Sequence, residues 1–214
     1  MNCSFNIEES FPLQAKKDEV RRKIEYAALK VFFEKGYLDA KMSDIANEIN
    51  ISVGNIYTYF KNKNELFYAV VPPSLVDYLK NLLVESIHFS NQTFFDETDS
   101  EKNSALLQEQ IDLLTKYSKQ IVIIFEKSKG TTYSHAKEEL IALMVETKRP
   151  YLKDHYKRYE IGAEENIILS NIISTSLIDM ILDLLKRDMS EESRRRIFEA
   201  LNVYRLYGVK SLNE

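Results

Sequence analysis

Residues 24–66 read IEYAALKVFFEKGYLDAKMSDIANEINISVGNIYTYFKNKNEL, and the fold turns on how this stretch is punctuated. Val20, Ile24, Ala27, Ala28, Val31 and Phe32 recur at spacings of three and four. They form one stripe of an amphipathic helix beginning near Lys17. Gly36 follows Lys35 and fits a left-handed C-terminal cap, where a Cβ would be penalised. A short second helix is expected from Met42 to Ile49, burying Met42, Ile45, Ala46 and Ile49. Asn50 tolerates positive φ and can make the turn that follows. Ser52 is placed to cap a third helix, Val53 to Phe60, through an early backbone N–H. Asn62-Lys63-Asn64-Glu65 resembles a capping box that opens a fourth helix toward Val70.

Two short helices joined by a tight turn form a helix-turn-helix, whose second helix can lie in the DNA major groove. Ile51, Ile56, part of Tyr57, and Phe60 would face inward. Val53, Asn55, Thr58 and Tyr59 are left exposed or at the edge, and Gly54 allows close backbone approach. Hydroxyls on Ser52, Tyr57 and Tyr59 suit phosphate contacts, as does Lys63 at a helix start. Asn55 can hydrogen-bond a base edge, and Val53 and Thr58 can touch a thymine methyl group.

The spacing Ala28-x3-Phe32-x3-Gly36-Tyr37, then Asp44-Ile45-Ala46, then Ser52-x-Gly54-x-x-Tyr57-x-Tyr59-Phe60-x-x-Lys63-x-x-Leu66 resembles the DNA-binding domain of the TetR family of bacterial regulators. The resemblance implies an all-α chain of about nine helices. It also implies homodimerisation, and a C-terminal domain whose small-molecule ligand changes the separation of two DNA-binding heads. It assigns Ser52, Gly54, Tyr57, Tyr59 and Lys63 to phosphate or near-phosphate contacts. It places Met42 and Ser43 where the second helix opens onto DNA, and Val53, Asn55 and Thr58 against base edges. In two places the sequence departs from the pattern: Asn50 replaces the turn glycine, and Val53 replaces a common basic residue.

The rest of the chain bounds this reading. Its 214 residues are 44% hydrophobic and 29% charged, with five Gly and four Pro, as expected of a helical protein with a real core. The net charge of −4 is unevenly distributed: residues 14–63 hold ten Lys/Arg against seven Asp/Glu, a net of +3, so the remainder carries −7. The single cysteine, Cys3, excludes an intramolecular disulfide framework and an all-cysteine metal site within one chain. MNCSFNIEESFPL lacks the basic and apolar runs of a secretory signal. The apolar stretch Ile161 to Leu185 is broken by Asn166, Ser170, Asn171, Asp179 and Asp183, so the expectation is a cytoplasmic protein without a membrane span.

The expected organisation is a tail over 1–15, a three-helix helix-turn-helix domain over 16–62, and a larger helical ligand-binding and dimerisation domain over 63–214. Pro72-Pro73 should restart the chain into a helix from about Ser74 to Phe89, followed by an acidic loop from Ser90 to Asn103. Further helices are expected near 104–127, 134–158, 164–187 and 190–208, the last capped by Ser190. Phe89, Tyr117, Phe125, Tyr133, Tyr151 and His155 are candidate ligand-binding residues. Ile172, Leu177, Ile181 and Leu184, with Ile197, Leu201 and Tyr204, are candidates for a dimer interface built as a four-helix bundle. His88, His135 and His155 lack metal-ligand spacing, and no nucleophile–base–orienter set is evident. Neither a metal, a cofactor nor an enzymatic activity is therefore expected. The expected function is a dimeric repressor that binds double-stranded DNA at a near-palindromic operator and is released by an unidentified small-molecule effector. The alternatives are a helical enzyme or carrier with a vestigial N-terminal domain, or the same DNA binder acting as an activator.

Overall fold

A computed structural model describes residues 10–93, 100–152 and 161–213. Every regular element among them is helical: α1 (Ser10–Asp39), α2 (Met42–Glu48), α3 (Val53–Tyr57), α4 (Lys63–Val70), α5 (Pro73–Thr93), α6 (Ser100–Lys116), α7 (Ser118–Val122) running into a π-helical turn (Ile123–Lys127), α8 (Ala136–Leu152), α9 (Ala163–Lys186) and α10 (Glu191–Asn213).

The local signals act where they stand. Gly36 interrupts α1 with φ 77° and ψ 166°, a conformation open essentially to glycine; the positive φ is as expected, although ψ is extended rather than left-handed helical. Asn50 takes φ 56° in the turn after α2. The Ser52 Oγ accepts from the Asn55 N–H at 3.2 Å, and the Asn62 Oδ1 accepts from the Glu65 N–H at 2.8 Å. The Ser190 Oγ likewise accepts from the Ser193 N–H at 3.2 Å and starts α10.

Several boundaries differ from the periodicity. Helix α1 begins at Ser10, inside the expected tail; Pro12 in its first turn is compatible because the missing N–H would lack a helical partner there anyway. The third helix stops at Tyr57, and the chain closes through Tyr59 and Phe60 N–H bonds to the Ile56 carbonyl. The expected loop over 90–103 is helical at both ends, since α5 runs to Thr93 and α6 starts at Ser100. Residues 94–99 and 153–160, and with the latter His155, lie outside the described residues. The expected helix 104–127 breaks at Tyr117 and widens into the π turn.

One continuous core joins the N-terminal helices to the body. Ile24, Phe32, Ile45, Ile56, Phe60, Leu66 and Phe67 are fully buried, and the same cluster reaches Leu75, Ile123, Ile124 and Tyr133. Helix α1 packs on α2 and α4 and also on α7 and the π turn. Edge-to-face rings of Phe32, Tyr37, Phe67, Tyr68 and Tyr133 line this joint. Tyr68 bonds the Thr132 hydroxyl at 2.9 Å, and Tyr133 donates to the Val71 carbonyl at 3.3 Å. Burial pushes the Tyr133 phenol up to about 12. Helix α9 is long and apolar enough to span a membrane by length and composition alone. Its buried residues nevertheless include Asn166, Ser170 and Ser174, while Ile168 and Ile172 face outward.

Candidate nucleic-acid interface and internal cavity

The helix-turn-helix is built from the core outward. Ile45 and Ala46 anchor α2, and Ile56 and Phe60 anchor α3, with Met42, Ile49, Ile51, Val53 and Tyr59 packed half-buried around them. Ser43, Ser52, Gly54, Asn55, Tyr57 and Thr58 remain exposed. The two tyrosines exchange their expected parts: Tyr57 is 49% exposed, whereas Tyr59 leans on the core. The Thr58 hydroxyl donates to the Asn55 carbonyl at 2.7 Å, leaving its methyl group and lone pairs for a partner. Helix α2 is held in place by Asp44. Its carboxylate accepts from the Lys41 N–H at 3.0 Å and meets Lys35 at 3.0 Å, and both contacts hold it below the usual carboxylate range.

Lys63 departs from its expected place. Its ammonium donates to the carbonyls of Tyr37 at 2.7 Å, Leu38 at 3.3 Å and Ala40 at 3.0 Å, and lies 4.4 Å from the Tyr37 ring centroid. Three donors meet three acceptors, so the charge is spent on the chain just after Gly36 rather than turned toward a phosphate. Burial lowers the Lys63 pKa. The neighbouring lysines that are exposed and free of ion pairs among the described residues are Lys41 and Lys61, which sequence spacing alone did not single out. Of the α1 cations, Arg21 pairs with Glu25 and covers the Phe60 ring at 5.0 Å, and Lys23 pairs with Glu19.

Below this head, α5 to α10 enclose a cavity of about 210 Å³. Its wall is mainly apolar, including Leu82, Leu114, Ile121, Met144 and Ile178, and it carries Lys148, Ser170 and Arg205. Of the sequence candidates Phe125 lies on the wall. Phe89 is buried in the N-terminal cluster, and Tyr117 is half-buried between that cluster and a second one that includes Ile121, Met144 and Leu182. Tyr133 belongs to the joint described above, and the Tyr151 hydroxyl bonds the His88 Nδ1 at 3.0 Å. Leu177, Ile181 and Leu201, candidates for an outer interface, also line the cavity, and Leu184 is buried. Ile172, Ile197 and Tyr204 are exposed, at 56%, 42% and 69%. Ile168, part of the same apolar face by its spacing, is exposed too, and Val203, which that spacing does not single out, extends the exposed face of α10.

The fold thus joins a helix-turn-helix to a cavity-bearing helical body through one shared core. Residues 26–70 match the sequence model of the bacterial regulatory proteins of the tetR family, and the helix-turn-helix segment is of that family. An HTH-type transcriptional regulator of Staphylococcus aureus (strain USA300) is 30% identical over 99 residues, which cover 46% of this chain and 48% of the relative. The aligned region thus spans about half the length of the curated relatives it matches. Among solved structures, the chain is similar to a TetR-like transcriptional regulator from Rhodococcus sp. RHA1. That similarity has TM-score 0.48 and 18% identity, covering 88% of this chain and 97% of the other. A TerR/AcrR-family transcriptional regulator from Aquifex aeolicus VF5 gives TM-score 0.46 and 19% identity, covering 86% and 98%.

Proposed function

We propose that this chain is a cytoplasmic, sequence-specific DNA-binding transcriptional regulator. It acts as a homodimer on a near-palindromic operator and works as a repressor released by a small molecule bound in the cavity. The observation that carries the reading is the solvent-facing row Ser52, Gly54, Asn55, Tyr57 and Thr58, presented by a capped helix on a fully buried base. Val53, Asn55 and Thr58 read base edges, and Ser43, Ser52, Tyr57, Lys41 and Lys61 grip phosphates. The unpartnered apolar faces of α9 and α10 support pairing with a second copy, which would place two recognition helices one or more DNA turns apart. Ligand release follows if the ligand binds more tightly to a conformation whose heads no longer match the operator spacing.

The test is a selection of DNA fragments retained by the purified protein, repeated with two variants. Asn55→Ala should change or relax the selected sequence. Lys61→Ala should weaken binding to all sequences alike and reduce the slope of log affinity against log salt by about 1. Identical selections from the parent and Asn55→Ala would contradict the assignment of α3 as the reading helix.

A further inference from the structure

The cavity holds two cations and, among the described residues on its wall, no carboxylate. Lys148 stands on the inward stripe of α8 with Met144 and Leu152, and Arg205 on that of α10 with Phe198 and Leu201. Their side-chain hydrogen bonds are to neutral groups. The Lys148 Nζ donates to the buried Ser174 Oγ at 3.0 Å, and the Arg205 guanidinium donates to the Asn202 Oδ1 at 2.8 and 3.3 Å. Withdrawing a charge from water is costly unless an opposite charge meets it, and here two like charges share one wall. Burial, with Arg205 adding to it, pushes the Lys148 ammonium down to about 8, and burial also lowers the Arg205 pKa. The third feature is Ser170. Its Oγ is buried on the same wall without a hydrogen-bond partner, one turn of α9 before Ser174. An orphaned hydroxyl in an otherwise well-packed core marks a place where a partner belongs.

We propose that the cavity's ligand is an amphipathic anion: an apolar chain lying among Leu82, Leu114, Ile121 and Met144, with an oxyanion head held by Lys148 and Arg205 and accepting a hydrogen bond from Ser170. The planar guanidinium fork suits a two-oxygen head, and the ammonium supplies a second charge-assisted bond. The missing negative charge is then delivered by the ligand, and the apolar wall takes up its tail. This deepens the effector reading above and rests on the cavity being the ligand site.

The test is calorimetric titration of the full chain, without DNA, using four probes of equal chain length: decanoate, decyl phosphate, decanol and decylamine. Decanoate or decyl phosphate should bind at least about tenfold more tightly than decanol, and decylamine most weakly. The tighter of the two anions identifies the head as carboxylate or phosphate ester. Lys148→Met and Arg205→Gln should each cost the anion about tenfold while leaving decanol unchanged. Ser170→Ala, which removes an unpartnered hydroxyl and leaves the fold intact, should cost it several-fold. Decanol or decylamine binding as tightly as both anions would overturn the proposal, as would anion affinity unchanged in all three variants. DNA release is measured separately. If decanoate binds but leaves DNA affinity unaltered, the anion site stands and the effector reading falls. If a neutral compound releases DNA and the anions do not bind, the reverse holds.

Discussion

Replacing Lys63 by Met keeps most of the aliphatic stem and removes the ammonium. Three carbonyls just after the Gly36 break, those of Tyr37, Leu38 and Ala40, then lose their shared donor, and the Tyr37 ring loses the cation beside it. A hydrogen bond to a charged group contributes about 1.5–3 kcal/mol, and a partly exposed cation–π contact about 0.5–1 kcal/mol. Because Lys63 is half-buried and water can partly replace it, a net loss of about 2–3 kcal/mol is expected rather than the full sum. With a urea slope of roughly 2 kcal/mol per molar, the unfolding midpoint followed by circular dichroism should fall by about 1 M. If the midpoint does not move while DNA affinity and its salt slope both drop, the ammonium grips phosphate and the geometry argued above is wrong.

Ser52→Ala removes the cap on the Asn55 N–H and should cost about 1 kcal/mol of stability in the same urea assay, with weaker DNA binding if α3 frays. Gly130 sits at φ 89°, and an added Cβ would lie 2.6 Å from the Leu38 side chain; Gly130→Ala should therefore destabilise by about 1–2 kcal/mol, read as a lower Tm. The pH dependence follows from Lys148, whose folded pKa of about 8 lies below its ordinary 10.5. Between these values the unfolded chain binds the extra proton. The ligand-free protein should therefore gain stability relative to Lys148→Met as pH rises from about 8 to 10.5, while anion binding weakens over the same rise. A flat difference in Tm between the two proteins across that range would contradict the burial of this charge.

What the sequence could disclose depended on the reach of each interaction. Gly36, Asn50, Ser52 and Asn62 act on backbone within three residues, so their roles are legible from neighbours alone. The Lys63 acceptors lie 23 to 26 residues away, and only the packing of α4 on α1 brings them within reach. The cavity lining was hidden for a related reason. Which aromatic faces inward depends on the azimuth of each helix, and the break at Tyr117 with the π turn after it resets that azimuth between Tyr117 and Phe125. Lys148 and Arg205 did leave a trace, as charges placed four residues from Met144 and from Leu201 on otherwise apolar stripes. A charge in such a place is usually a solvated face, and only the fold shows that these two are not. On α9 the apolar pattern misleads by half: Leu177 and Ile181 turn to the cavity while Ile168 and Ile172 turn outward.

In the proposed function α3 reads DNA as one of a symmetric pair. The most direct measurement is the affinity of the purified protein for its selected DNA and for a scrambled duplex, titrated across salt concentration. The expected result is an enriched inverted repeat with half-sites separated by about a whole number of helical turns. Specific binding should be about a thousandfold or more tighter than to the scrambled duplex, with both affinities falling steeply with salt. No enriched sequence, or equal and salt-insensitive binding to both duplexes, would contradict it.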